Sequence, residues 1–191
     1  YISGRAVYEA GRKMRQFLEQ QGYPGGKDLR EIYRVAKGQQ SLRFDGFFDP
    51  PTTRLDEETG RGIPYATYGF ATHMTEVQVE EATGICRVKK VRASHDVGKG
   101  INPALIRGQI HGGISMGIGF ALLEEFIPGE TVSFDSYHLP TSMDMPRIEV
   151  MQVEDLEPTG PYGAKGVGEP ALIPQAASIV NAIREAVQGN V

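Results

Sequence analysis

Apolar residues recur along this chain with two different periods, and the changes between them sketch the fold. Val7, Ala10, Met14, Phe17 and Leu18 fall at helical spacing behind a candidate cap at Ser3, which predicts an amphipathic helix over 4–20 that "QGYPGG" ends. In "DLREIYRVAKG", Asp28 and Glu31 stand at capping-box spacing. Leu29, Ile32, Tyr33 and Ala36 form the apolar stripe there and Gly38 is the stop, so a second, short helix is expected. From 39 to 64 the period is lost. Gly, Pro, Asp and Thr dominate in "FFDPPTTRLDEETGRGIP", a long irregular excursion of the kind that serves function or an interface.

The period then shortens to two. "THMTEVQVEEATGICRVKKVRASHD" alternates on both sides of a turn at 81–84 and predicts a β-hairpin. "DVGKGINP" follows as a turn, with Asp96 and Asn102 suited to side-chain capping. In "ALIRGQIHGGISMGIGFALLEEF", residues Leu105, Ile106, Ile110, Ile114, Ile118, Ala121 and Leu122 return to helical spacing and predict one long helix. An extended segment broken by Pro140 and Pro146 leads into a strand over 148–153. Pro174 then opens a last helix with Ala176, Ile179, Val180, Ile183 and Val187 on one face. These elements define an α+β fold: a mixed sheet with amphipathic helices.

Composition narrows what such a fold can do. At 191 residues and 40% hydrophobic, the chain can bury one sizeable core, or two lobes that share it. A net charge of -4 offers no basic field to a phosphate backbone, so nucleic acid is not an expected partner. The apolar run 110–123 contains His111 and Ser115 and is too short to span a bilayer, so no membrane role is expected. A single cysteine, Cys86, precludes an internal disulfide, suits a reducing, cytoplasmic setting, and reads as a small core residue. His73, His95, His111 and His138 show no metal-ligand spacing and are expected to be ordinary polar or core residues. No phosphate-loop or dinucleotide fingerprint opens a helix after a strand. The chain starts without Met or a signal-peptide pattern, and is expected to be a piece of a longer one.

Two stretches carry candidate chemistry. Gly108, Gly112, Gly113, Gly117 and Gly119 would each weaken the long helix by about 0.8–1 kcal/mol relative to Ala. Two reasons stand open: close packing of another backbone, which the periodicity favours, and access for a ligand near the helix start. In "GAKGVGEPALIPQAA", Glu169 stands between Gly168 and Pro170 at the end of a loop with three glycines. Such glycines make a loop mobile and let a ligand approach, while the proline stiffens the exit and aims the acid. By itself the same stretch also reads as a surface turn with a solvated carboxylate.

Taken in order, "SGRAVYEAGRK", "YATYGFATHMTEVQVEEATG", "HDVGKGINPALIRGQIHGGISMGIGFALLEE", "YHLPTSMDMP" and "GAKGVGEPALIPQAASIVNAIREA" resemble the molybdenum hydroxylases, the xanthine dehydrogenase and aldehyde oxidase family. The resemblance covers nearly all of 1–191 and lies in the C-terminal part of the molybdopterin-binding domain. "GQIHGG" and "PYGAKGVGEP" look closest to bacterial xanthine dehydrogenase-like members. The resemblance implies that Glu169 is the general base, taking a proton from the hydroxyl on molybdenum, and that Gln109 hydrogen-bonds to the metal's oxygen ligand. It implies that Lys165, Gly166 and Gly168 lie beside the cofactor, with no protein ligand to the metal. A closed, apolar site is then expected around Glu169, where desolvation raises a carboxyl pKa.

The resemblance further implies molybdopterin, including its cytosine dinucleotide form, a purine-like N-heterocycle as substrate, water as the oxygen source, and hydride transfer to a sulfur on molybdenum. Iron–sulfur clusters and FAD are expected on other domains or subunits, since one cysteine cannot hold a cluster. The rest of the molybdopterin subunit is an expected partner that supplies the missing half of the pocket, so this chain alone is expected to be inactive. Aldehyde, carbon monoxide and acyl-thioester substrates stay open as alternatives, as does a non-catalytic assembly module.

Overall fold

The computed structural model describes residues 1–22, 25, 28–36 and 42–188, in two compact units. The first comprises Tyr1–Ala66 with Pro158–Gly163, and the second Thr67–Glu157 with Ala164–Val191.

In the first unit, α1 spans Ile2–Gln20 and α2 spans Leu29–Ala36. Ser3 does not cap α1; the capping position is Tyr1, without a side-chain bond. Leu18 is buried and Ala6, Ala10, Met14 and Phe17 are half-buried along one side. The segment around Gly46 straps this face so closely that a Cβ on Gly46 would lie 1.8 Å from Ala6 O and 2.7 Å from Ala10 N. Tyr1 against Phe48 and Phe17 against Phe44, with ring centroids 5.7 and 5.6 Å apart, fasten its two ends. Val7, predicted in the stripe, is 71% exposed because the strap crosses at Ala6 and Ala10.

At the start of α2, Asp28 Oδ1 accepts from Arg30 N at 2.8 Å, so the predicted acid cap is present. Ile32 is half-buried; the side chains of Leu29, Tyr33 and Ala36, and the stop at Gly38, lie outside the described residues. The irregular excursion contains no helix or strand over its described part, yet it is closed on itself by Thr53 N to Ile63 O and Asp56 N to Arg61 O, both 2.8 Å.

The second unit holds a three-stranded sheet in the order β1 (Ala71–Val79), β2 (Cys86–Asp96), β3 (Arg147–Val153). The predicted hairpin is β1–β2, antiparallel, with Gly84 at φ 73° closing the turn. A bulge between Glu76 and Val77 leaves Lys89 as the extra residue on β2. β3 adds in parallel to β2, which makes the sheet mixed. Between them runs α3, Pro103–Leu122, with Asn102 as N-cap: its Oδ1 accepts from Leu105 N at 3.1 Å. A 3₁₀ turn, Glu169–Ala171, leads into α4, Ile173–Gln188. α4 lies across β1 and against α3.

The core is formed by Val91, Ala93, Ile110, Ile114, Ile118, Ala171 and Ile179. Leu105 stands about half a helical turn from Ile110 and Ile114, so it is 68% exposed instead of buried. The inward face of α4 is likewise rotated from the predicted stripe: Gln175 and Ile179 are fully buried, while Val180 and Val187 are about half exposed. Cys86 is half-buried at the head of β2, and burial raises its thiol pKa.

Candidate functional site

The five glycines of α3 divide into two groups by what faces them. A Cβ on Gly113 would lie 2.6 Å from both the carbonyl carbon and Cβ of Ala171, and one on Gly117 would lie 2.5 Å from Cβ of Gln175. Gly119 is closed by Pro140 and Glu124. These three serve packing, as predicted. Gly108 and Gly112 meet no atom within 4 Å, so the packing explanation fails for them in this chain. Neither has positive φ.

Because Gly113 lacks a side chain, the turn Glu169–Ala171 seats directly on α3, with Ala171 fully buried. Glu169 then stands at the first position of that turn, exposed, and Leu172 N donates to its carbonyl at 3.0 Å. Gln109 stands one helical turn before Gly113 on the same side of α3 and is also exposed. The closed surroundings expected for Glu169 are not formed by the described residues. A cleft of about 420 Å³ opens on α3 beside His111, Gly112 and Ser115, and neither Gln109 nor Glu169 lines it.

The loop before Glu169 is pinned, contrary to the expectation of mobility. Lys165 N donates to Val97 O at 3.0 Å, Ala164 bridges Gly98, and Val167 packs against the core. Lys165 Nζ donates to Asp96 Oδ2 at 2.5 Å, the two side chains only 6% and 7% exposed, and reaches Asp155 Oδ2 at 3.2 Å. Burial opposes the charge on Asp96, but hydrogen bonds from Lys165 and from Gly98 N outweigh it and hold the carboxyl below its ordinary pKa. The bond to Asp96 in turn raises the pKa of Lys165, against the effect of burial. Gly166 and Gly168 are exposed, meet no atom within 4 Å and have no positive φ. Lys165 thus faces inward and the two glycines outward. Asp96 is a turn cap as predicted; its pairing with a residue 69 positions away left no mark in local spacing.

His73 and His95 are polar and core residues as expected, but the network that joins them was not foreseen. His73 Nδ1 lies 2.7 Å from Gln175 Oε1, and His73 Nε2 lies 2.7 Å from His95 Nε2. Gln175 Nε2 donates to Thr75 Oγ1 at 3.2 Å, and Ser178 Oγ donates to Thr75 Oγ1 at 2.7 Å. With the amide so oriented, Gln175 Oε1 can only accept. His73 therefore carries its hydrogen on Nδ1 and accepts at Nε2 from His95. Burial lowers the pKa of His73. Burial and then repulsion from His73 lower that of His95 to about 4. Both rings are neutral at pH 7 and fasten α4 to the sheet. The available signal was phase: in β1 and β2, His73, Thr75 and His95 occupy the inward positions beside Val91 and Ala93.

The pinned loop thus carries bare glycine backbone outward and leads to an exposed acid, while an exposed glutamine stands on the helix that seats the turn. Residues 1–146 match the model of the molybdopterin cofactor-binding domain, and the chain belongs to the molybdenum hydroxylase family as a part of that domain. The xanthine dehydrogenase molybdenum-binding subunit of Escherichia coli O157:H7 is 34% identical over 154 residues, 77% of this chain and 20% of that protein. The aldehyde oxidoreductase molybdenum-binding subunit of Escherichia coli K12 is 36% identical over 190 residues, 86% of this chain and 26% of that one. Among solved structures, the aldehyde oxidoreductase of Desulfovibrio desulfuricans superimposes with a TM-score of 0.76 at 34% identity, over 88% of this chain and 19% of its own. The chain thus spans about a fifth to a quarter of the length of these relatives.

Proposed function

We propose that this chain supplies the general-base wall of a molybdenum hydroxylase active site, with Glu169 as the base and Gln109 as a hydrogen-bonding group beside the cofactor. The observation that carries this reading is the seating of the Glu169 turn on bare Gly113, one helical turn from Gln109. It gives an exposed carboxylate a backbone clamped on both sides, by Lys165 and Val167 before it and Ala171 after it. Geometry of that kind suits proton transfer, which requires the base within hydrogen-bond reach of the reacting group.

The residues present fit a molybdopterin cofactor. Gly108, Gly112, Gly166 and Gly168 are required by neither packing nor φ within the chain, which leaves approach from outside it as the reason for bare backbone. When bound, the cofactor supplies the two-electron acceptor while water supplies the oxygen. Glu169 takes up a proton from the water-derived nucleophile, and Gln109 holds it in register through its amide. Lys165 acts on the site through the backbone it anchors, because its ammonium group is engaged by Asp96 and Asp155.

The reaction we infer is hydroxylation of an electrophilic carbon in a purine-like N-heterocycle, within a cytoplasmic complex. Iron–sulfur and flavin groups on other domains or subunits carry the electrons away, and the molybdopterin is taken in its plain or cytosine dinucleotide form. Oxidation of an aldehyde is the second reading, favoured by the match of 86% of this chain to part of the aldehyde oxidoreductase subunit. Metal and pterin analysis of the intact subunit, with turnover on hypoxanthine and on benzaldehyde, tests both. Stoichiometric molybdenum with faster heterocycle turnover is expected. A purified complex without molybdenum or pterin would end the reading.

A further inference from the structure

Two arms of irregular chain leave the sheet region for the site. The arm 97–102 runs from the end of β2 to the Asn102 cap of α3, and Gln109 stands about two helical turns further on. The arm 164–168 runs to the turn that carries Glu169. Neither contains a helix or a strand, so the bonds between them set how the two residues stand to each other. Their backbones cross at the Gly98–Ala164 bridge and at the bond from Lys165 N to Val97 O. One carboxylate then serves both arms: Asp96 Oδ1 accepts from Gly98 N at 3.0 Å in the first, and Asp96 Oδ2 accepts from Lys165 Nζ at 2.5 Å in the second. The Lys165 and Asp96 side chains are 6% and 7% exposed, whereas Asp155, the other partner of Lys165, is 75% exposed and adds little. Glu154 ties the first arm alone, accepting from Gly100 N at 3.0 Å and from Lys99 Nζ at 2.8 Å.

We propose that Asp96 is a positioning residue for the reaction: through Lys165 it fixes the arm of Glu169 against the arm of Gln109, so that carboxylate and amide address one reacting group. The proposal rests on the reading of Glu169 and Gln109 as site residues. The Glu169 turn is held at two points. Gly113 seats it from the Ala171 side, and Asp96 holds it from the Lys165 side. With the second hold released, the carboxylate can swing about the first. A misplacement of about 1 Å at a reacting group can cost about 10²-fold in rate, so a small swing is enough to matter. Asp96 touches neither substrate nor cofactor in this account; it acts through the two arms.

Asp96→Asn with Lys165→Met removes the bond between the arms without leaving a buried charge unpaired, and so separates position from stability. In the intact subunit this double variant should hold molybdenum and pterin at the parent level, while kcat per bound molybdenum falls by about tenfold or more with KM little changed. The acidic limb of kcat/KM against pH should stay in place, because the base is present and the net charge is unchanged. Added to Glu169→Gln, the same two substitutions should cost little more. Amide hydrogen exchange of the cofactor-free subunit supplies a readout without turnover: exchange over 97–102 and 164–168 should rise together, whereas Glu154→Ala should loosen 97–102 alone. Asp96→Asn by itself keeps the shape of the side chain, and should show the same joint loosening if the double variant fails to fold. Parent kcat per molybdenum, faster exchange confined to one arm, or a full further loss on top of Glu169→Gln overturns the proposal. Parent turnover in Glu169→Gln alone ends the reading of the base instead, and the exchange result still decides whether Asp96 couples the arms.

Discussion

Gly113 and Ala171 are in backbone contact: a Cβ placed on Gly113 would stand 2.6 Å from two atoms of Ala171, a separation that real Cβ atoms do not adopt. The turn that carries Glu169 therefore depends on the absence of one side chain on α3. Gly113→Leu should destabilise the fold by several kcal/mol, since overpacking a rigid contact costs about 1–3 kcal/mol even where neighbours can yield. Gly113→Ala should cost less and leave a folded protein whose turnover falls because Glu169 is displaced. Urea denaturation with parallel rate measurements checks both; unchanged stability in the Leu variant would contradict the contact.

Gly108 and Gly112 should behave in the opposite way. With nothing within 4 Å of an added methyl and helical φ at both positions, Gly108→Ala should stabilise the chain by up to about 1 kcal/mol through helix propensity alone. If bare backbone there serves an approaching group, Gly112→Ala in the intact subunit should lower molybdopterin retention despite the gain in stability. Thermal melts of the chain and pterin content of the subunit give the two readouts.

The Lys165–Asp96 pair should be costly to break and less costly to replace. Lys165→Met leaves Asp96 buried with only backbone donors, and removal of one partner of a buried pair typically costs about 3–5 kcal/mol. Asp96→Asn with Lys165→Met should recover part of that loss. The depressed pKa of Asp96 adds stability that is complete above the ordinary carboxylate pKa and is lost as pH falls through the lowered one. A double-mutant cycle by chemical denaturation yields the coupling, and a value near zero would show that the contact contributes nothing.

What the sequence disclosed and what it hid follow from the range of the interactions. The hairpin and β3 were legible because alternation is local: each residue of 71–79 and 86–96 announces its own side of the sheet. The existence of α3 and α4 was legible for the same reason, but which side faces inward was not. Leu105 and Val180 looked core-like by residue type, and the partners that decide burial lie elsewhere in the chain. Gln175 was not singled out at all and is fully buried, because His73 and Thr75, about 100 positions earlier, satisfy its amide. Glu169 and Gln109 could be picked out only as members of motifs. The seating of the Glu169 turn on α3 depends on Gly113 accepting Ala171, a contact across 58 positions that no local period records.

Acid should begin to weaken this fold near pH 6.5, through two buried histidines. His73 and His95 have folded-state pKa values below the ordinary 6.5, the latter about 4, so the unfolded chain binds more protons between these limits and stability rises with pH across them. Their contribution is complete above about pH 6.5 and is lost progressively down to about pH 4. At about 1.36 kcal/mol per unit, His95 alone accounts for about 3 kcal/mol. His95→Gln keeps a hydrogen-bonding side chain without a titrating ring, and should flatten the pH dependence of the urea midpoint between 4 and 6.5. A slope identical to that of the parent chain would remove the pair from the account.

Glu169→Gln is the substitution that separates a base from a structural residue. The carboxylate makes no packing contact that a carboxamide would disturb: Glu169 is exposed, and the turn is held by its backbone and by Ala171. Folding and cofactor content should therefore stay at the parent level in the intact subunit. Turnover should fall by about 10² to 10⁴ or more, the range expected for loss of a general base. Because glutamine cannot take up a proton, the acidic limb of kcat/KM against pH should vanish as well, which a merely positional role would not produce. Gln109→Ala should retain the metal and lose a smaller part of the rate. Near-parent turnover at saturating substrate in Glu169→Gln would return the "GVGEP" turn to an ordinary surface feature.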